Sequence, residues 1–256
     1  MKKQNLTWIA IALIFMSTIL KAQEITPEKI SFPSPDGLTV TANLYHNADE
    51  LPVIILCHQA RYNKAEYYEI AVNLQKMGFN LMAIDQRSGG TLFDKENETF
   101  AEATKLGKPT TYLDAAQDIE AAINFAYAKY NKKIILWGSS YSSTLALYFA
   151  SSNDKIKAVI AFSPGDYFAE QKGSLKNKLT GFGKPLFATS SREEAAELTD
   201  LLSGIQKNEN QTQFIPAKKG KHGSKALWKD NEDFEEYWEA LNLFLEKLKK
   251  IKFLHF

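Results

Sequence analysis

Three short runs, Val53-Ile54-Ile55-Leu56, Ile134-Ile135-Leu136 and Ala158-Val159-Ile160-Ala161, carry an apolar side chain at every position. Side chains along a strand alternate faces, so a run with no polar alternation has to be covered on both sides. Helical periodicity falls between such runs. From 114 to 130, Ile119, Ala122, Ile123 and Ala126 recur three or four residues apart, while Asp118, Glu120 and Asn124 face elsewhere. By the same reading, strands are expected at 38–46, 52–57, 80–84, 133–137, 157–162, 185–189 and 211–215. Helices are expected at 65–77, 114–130, 142–151, 192–206 and 233–250. The run 38–46 alternates instead, with Val40, Ala42 and Leu44 set against Thr39, Thr41 and Asn43, as an early antiparallel edge strand would. The pattern predicts an α/β chain with one doubly wound, mostly parallel sheet and helices on both faces. Two excursions, 88–113 and 165–184, are too short for a second folded domain, and the latter leaves room for little or no lid.

Composition narrows what such a sheet serves. Hydrophobic residues make up 45% of the chain and charged ones 24%, which excludes disordered, collagen-like and polytopic membrane chains. A formal charge of +1 offers no electrostatic excess for nucleic acid. The single cysteine, Cys57, excludes an intrachain disulfide and a multi-cysteine metal site. Lys2 and Lys3 precede an apolar stretch, and Ala22 offers a small residue for cleavage, so residues 1–22 read as a signal peptide. The 15 residues from 6 to 20 fall short of the ~20 that span a bilayer, so no stable membrane span is expected after the leader is removed. Removal takes three lysines and no acidic residue, so the charge of +1 becomes −2. The expectation is a secreted or periplasmic protein whose residues 23–256 form a single domain.

In a doubly wound sheet, ligands gather outside the carboxyl ends of the strands. After 133–137 the chain reads Gly138-Ser139-Ser140-Tyr141-Ser142 and enters a helix, a G-x-S-x-G pattern with its last glycine replaced by serine. Small residues two places either side of Ser140 let strand and helix backbones approach. The turn would present Ser140 at the top of the sheet, beside the Tyr141 N–H at the helix start.

A nucleophilic serine needs a base, and the base needs an orienting acid. Of the four histidines, His46 ends the alternating strand, His255 sits in the last two residues and His58 follows Cys57. His222 lies in Gly220-Lys221-His222-Gly223, on the loop after the last expected strand, and the serine–acid–histidine chain order favours it. The acid is expected after 185–189, where Ser190-Ser191-Arg192-Glu193-Glu194 offers two glutamates. Loop geometry favours Glu194, with Glu193 as the alternative. Acidic residues in a first helical turn also offset the helix dipole, so residue type alone does not separate them.

Taken in order, these residues resemble the α/β-hydrolase fold family. His58-Gln59-Ala60 is similar to its His-Gly oxyanion loop, and Asp85-Gln86-Arg87-Ser88-Gly89-Gly90 to its Asp-x-Arg-Gly-x-Gly turn. Residues 114–122 resemble the helix before the elbow strand. Within the family the chain looks most like small bacterial serine hydrolases of dienelactone-hydrolase-like or serine-aminopeptidase-like type. The resemblance spans roughly 35–250 and implies acyl transfer by a catalytic set of Ser140, Glu194 and His222. It further implies an oxyanion hole made by the amides of Tyr141 and Ala60, with Gln59 as the alternative. A small-molecule acyl substrate follows, and neither metal nor organic cofactor is called for. Two departures stand out: Ser142 replaces the second elbow glycine, and Gln59 replaces the oxyanion-loop glycine. The second is the only support for the alternative reading, a catalytically inactive binding protein on the same fold.

Overall fold

The computed structural model describes residues 26–205 and 209–250. Residues 1–22, expected as a leader, lie outside the described residues. The all-apolar runs become the middle of an eight-stranded sheet. Its strands are β1 (Glu28–Pro33), β2 (Thr39–Tyr45), β3 (Val53–Cys57), β4 (Asn80–Ile84), β5 (Ile134–Ser139), β6 (Ile156–Phe162), β7 (Leu186–Thr189) and β8 (Gln211–Phe214). They lie in the order β1-β2-β4-β3-β5-β6-β7-β8. The pairs β1–β2 and β2–β4 are antiparallel and every other neighbouring pair is parallel. The expected antiparallel start is there, one strand longer than the sequence pattern showed. β1 forms the edge, with Phe32 its only buried residue, so it carries almost no apolar pattern. β2 then lies inside the sheet, which is why Thr41 and Asn43 are buried alongside Val40 and Ala42.

Helices pack on both faces: α1 (Tyr68–Lys76), α2 (Glu98–Lys105), α3 (Ala116–Tyr130), α4 (Tyr141–Ser152), α5 (Ala169–Lys172), α6 (Leu175–Lys178), α7 (Ala195–Leu201) and α8 (Phe234–Lys250). Ile55, Cys57, Leu136 and Val159 share one core with α3, α4, α6 and α7. Ile54, Leu56, Ile135, Trp137 and Ile160 point the other way, into a core with α1 and α8. Each such side chain gains about 1.5–3 kcal/mol on burial. The parity of these strands is fixed by volume as well as polarity, since Trp137 stacks on Phe162 with ring centroids 5.2 Å apart. The excursion 165–184 holds only the one-turn helices α5 and α6. Among the described residues, no helix is long and apolar enough to cross a membrane.

The chain runs from β3 to β4 on one side and from β4 back past β3 to β5 on the other. The strand order therefore reverses between β3 and β5, where a crevice forms at their carboxyl ends. The turn after β4 is built into the wall of that crevice by charge. Arg87 is fully buried and donates to Asp118 on α3 and to Asp36 and Ser34 in the β1–β2 connection. Asp85 accepts from the Lys64 ammonium at 2.6 Å and from the Glu98 amide at 3.0 Å. The Asp-x-Arg motif thus packs the loop beneath the site.

Candidate active site

Ser140 occupies the sharp corner between β5 and α4, at φ 58° and ψ −127°. A non-glycine residue at positive φ is uncommon and persists where its surroundings over-determine it. Here the Ser140 N–H donates to the Phe162 carbonyl at 2.8 Å, and its own carbonyl accepts from the Ser143 N–H at 2.9 Å. The close approach of strand and helix explains Gly138, where a Cβ would lie 2.3 Å from the Ser143 Cα. Ser142 is tolerated where a glycine was expected because its hydroxyl has partners. It accepts the Ser139 N–H at 2.9 Å and donates to the Cys57 carbonyl at 2.7 Å, which ties the corner to the end of β3.

The structure brings Ser140, His222 and Glu194 together. Ser140 Oγ lies 2.8 Å from His222 Nε2, and His222 Nδ1 is hydrogen-bonded to Glu194 Oε1. About a third of each of the histidine and glutamate side chains is exposed, so the row opens to solvent. Of the two candidate acids only Glu194 joins it; its neighbour Glu193 is exposed. Burial raises the Glu194 carboxyl, but the hydrogen bond and charge of His222, the Ser163 hydroxyl and the Ser191 amide outweigh it and bring it down to about 2. Ser163 was not singled out in the sequence. It follows β6 at φ 53°, donates to Glu194 Oε2 at 2.9 Å and accepts the Gly223 N–H at 3.0 Å.

The two loops are stapled to each other. The Arg192 amide donates to the Lys219 carbonyl and its guanidinium to the Pro216 carbonyl, at 3.0 and 2.8 Å. Gly223 has φ 73°, and a Cβ there would meet Gln59 Oε1 at 2.6 Å and Ser139 Oγ at 2.7 Å. A side chain at that position would push the His222 loop off the sheet.

The loop after β3 faces Ser140 from across the crevice. The Gln59 N–H is taken up by Glu66 Oε2 at 2.7 Å, so it is not the free donor. The Gln59 carbonyl accepts from Tyr62 N–H at 3.2 Å and is 2.8 Å from His58 Nδ1. A trans peptide points its N–H opposite its carbonyl, so the Ala60 N–H faces away from His58. Among the described residues, the Ala60 N–H has no hydrogen-bond acceptor. His58 itself is fully buried, with Nε2 accepting from the Gln86 amide at 2.9 Å. Burial holds its imidazole below the usual histidine value, and it serves as a neutral strut. Burial likewise pushes the Cys57 thiol well above its ordinary value, away from any nucleophilic role.

The Tyr141 side chain turns away from the site, its hydroxyl 2.5 Å from Ser88 Oγ and accepting from Gln86 Nε2 at 2.8 Å. Tyr112 stacks against it. On the other side of the row a groove of about 760 Å³ opens beside Glu194, lined in part by Ser163, Tyr167, Lys176 and Glu197.

A doubly wound sheet with a crevice at this position is the architecture of the α/β hydrolases. Esterase Pf2001 of Pyrococcus furiosus shares it, superposing with a TM-score of 0.66 at 21% identity over 87% of this chain and 93% of that one. The chain belongs to the dienelactone hydrolase family, whose family model matches residues 40–238. Among curated proteins it is 28% identical over 144 residues to thiohydrolase apmlB of Arthrinium phaeospermum, covering 54% of this chain and 43% of that one. It is 27% identical over 152 residues to polyketide transferase ATR5 of Stachybotrys chlorohalonatus, covering 56% and 46% respectively. The match thus spans less than half the length of either curated relative.

Proposed function

We propose that the protein is an exported serine hydrolase that cleaves esters, or less readily amides, of small acyl substrates through an acyl-enzyme. The observation that carries this reading is the continuous row Ser140–His222–Glu194 at the carboxyl ends of β5, β7 and β8. His222 Nε2 takes the Ser140 proton as Oγ attacks the carbonyl carbon. The amides of Tyr141 and Ala60 donate to the developing oxyanion. Collapse breaks the bond to the alcohol, which leaves with the proton from His222, and the acyl group stays on Ser140. Water, deprotonated by His222, then releases the acid. Glu194 holds the imidazole tautomer and faces the imidazolium charge. Esterase and thiohydrolase relatives support hydrolytic chemistry, and the shallow excursion 165–184 suits substrates of modest size.

A panel of p-nitrophenyl esters of increasing chain length, with an aminoacyl p-nitroanilide included, tests the reading. Turnover of the short esters is expected, with the anilide slower or inert. No turnover, together with no labelling of the folded protein by a fluorophosphonate probe, would favour the inactive binding protein instead.

Export rests on the leader-like residues 1–22. Expressed with its full sequence in a bacterial host, the protein is expected in the periplasm or medium with Gln23 as its first residue. N-terminal sequencing that finds Met1 on an active cytosolic protein would remove the export half of the proposal.

A further inference from the structure

Glu66 sits in the 3₁₀ turn Lys64–Tyr67, is 1% exposed, and takes no part in the steps above. Each of its carboxylate oxygens accepts from a part of the site. Oε2 takes the Gln59 N–H, one residue before the Ala60 donor, at 2.7 Å. Oε1 takes the Ser139 hydroxyl, one residue before Ser140, also at 2.7 Å. Ser139 Oγ in turn accepts the N–H of Ser224, two residues past His222, at 2.8 Å. The Trp228 indole fixes the turn from behind by donating to the Glu66 carbonyl at 2.9 Å. One buried carboxylate therefore joins the oxyanion loop, the serine corner and the histidine loop.

We propose that ionised Glu66 is a positioning residue for the reaction and that its protonation loosens the site, so that hydrolysis requires this carboxylate as well as a neutral His222. The proposal rests on the serine-hydrolase reading. Hydrogen-bond inventory gives the reason. As a carboxylate Glu66 accepts from both partners. Once protonated it cannot place its hydrogen against the Gln59 N–H, so the hydrogen must point at Ser139 Oγ. That oxygen already receives the Ser224 N–H, and its own hydrogen then loses its acceptor in a buried setting, a loss proteins avoid. The corner and both loops have to shift to satisfy it.

Burial lifts the Glu66 carboxyl to about 7, against the opposing hydrogen bonds from Ser139 and Gln59 and the charge of Lys225. Tyr62, Tyr67 and Cys57 also face it. Glu69, Lys229 and Asp230 share the small cavity at its back. The change of state therefore falls inside the range over which the enzyme would work. The protonated, loosened form is populated below about pH 7 and the ordered form above it.

The test is the pH profile of kcat/KM on a short p-nitrophenyl ester for the wild type and Glu66→Gln. Two groups that must both lose a proton give the logarithmic profile an acid limb approaching a slope of two. Glutamine keeps an acceptor for the Gln59 N–H but offers an amide donor to Ser139, copying the protonated form. E66Q is expected to lose about 10–100-fold, mainly in kcat, and its acid limb is expected to flatten to a slope of one. A wild-type limb of slope one, or an E66Q profile with the wild-type shape, would overturn the proposal. The wild-type slope decides even if E66Q does not fold. A folded wild type with no turnover at any pH would instead bring down the serine-hydrolase reading, and this proposal with it.

Discussion

Ser140→Ala is expected to lower ester turnover by about 10⁵–10⁶-fold, to the level left by substrate binding and oxyanion stabilisation alone. The substitution is clean because the Ser140 side chain bonds only to groups of the site itself, His222 Nε2 at 2.8 Å and the Tyr167 hydroxyl. The contacts that hold the corner are made by its backbone, to Phe162 and Ser143, and an alanine keeps them. Alanine also meets the same penalty as serine at φ 58°. The variant should therefore melt close to the wild type while failing to react with a fluorophosphonate probe. Turnover assays, intact-mass measurement after labelling and a thermal melt together check it. Retention of more than about 1% of wild-type turnover in a pure sample would mean that another group carries the acyl transfer, a far smaller loss than removing a nucleophile causes.

The centre of the fold is legible in the sequence because parallel strands buried on both faces have to be apolar throughout. β3, β5 and β6 announce themselves for that reason. β1 does not, because an edge strand with a single buried residue has almost nothing to conserve in its pattern. α2 hides for a related reason. It lies across β2 with Thr99 and Ala103 inward, and the Thr99 hydroxyl accepts the Thr41 N–H at 2.9 Å. A helix that buries a threonine and an alanine shows too little apolar periodicity to stand out from a loop. Its Asn97 cap, which accepts from the Phe100 N–H, is the signal that could have found it.

At the site, chain order and loop position lead to Ser140 and His222, since the chemistry admits few serines at a strand–helix corner and few histidines at all. Choosing between Glu193 and Glu194 needs three dimensions, because adjacent residues in one turn differ only in direction. The departure at Gln59 is likewise undecidable from residue type. Its side chain packs near Gly223 while its backbone amide goes to Glu66, and the next residue supplies the free N–H. Glu66 is the least visible of all. A glutamate at the start of an amphipathic segment reads as solvated, and only the packing of the 3₁₀ turn against the ends of β3 and β4 reveals it as buried.

The Glu194 contacts set the second large expectation. Glu194→Gln should cost about 10⁴-fold in kcat with little change in KM. The carboxylate receives donors on both oxygens: His222 Nδ1 on Oε1, and the Ser163 hydroxyl and Ser191 amide on Oε2. The Ser163 hydrogen cannot turn elsewhere easily, because its oxygen accepts the Gly223 N–H. A glutamine at 194 therefore puts its carbonyl toward Ser163 and Ser191 and its NH₂ toward His222. Facing a donor, Nδ1 must become the acceptor, and the ring proton moves to Nε2. In that tautomer His222 can no longer take the Ser140 proton, although every atom sits where it did. The wild-type carboxyl, drawn down to about 2, stays ionised across the ordinary working range. Its folded value lies below its unfolded one, so its contribution to stability is present above the ordinary carboxylate range and fades only as pH falls toward 2. The acid limb of the wild-type profile should for that reason owe nothing to Glu194. Glu193→Gln provides the control: the residue is exposed, and its loss should leave kcat unchanged. Steady-state kinetics on the two variants separate the outcomes. Equal losses in both, or a loss confined to E193Q, would assign the acid wrongly and with it the tautomer on which the mechanism depends.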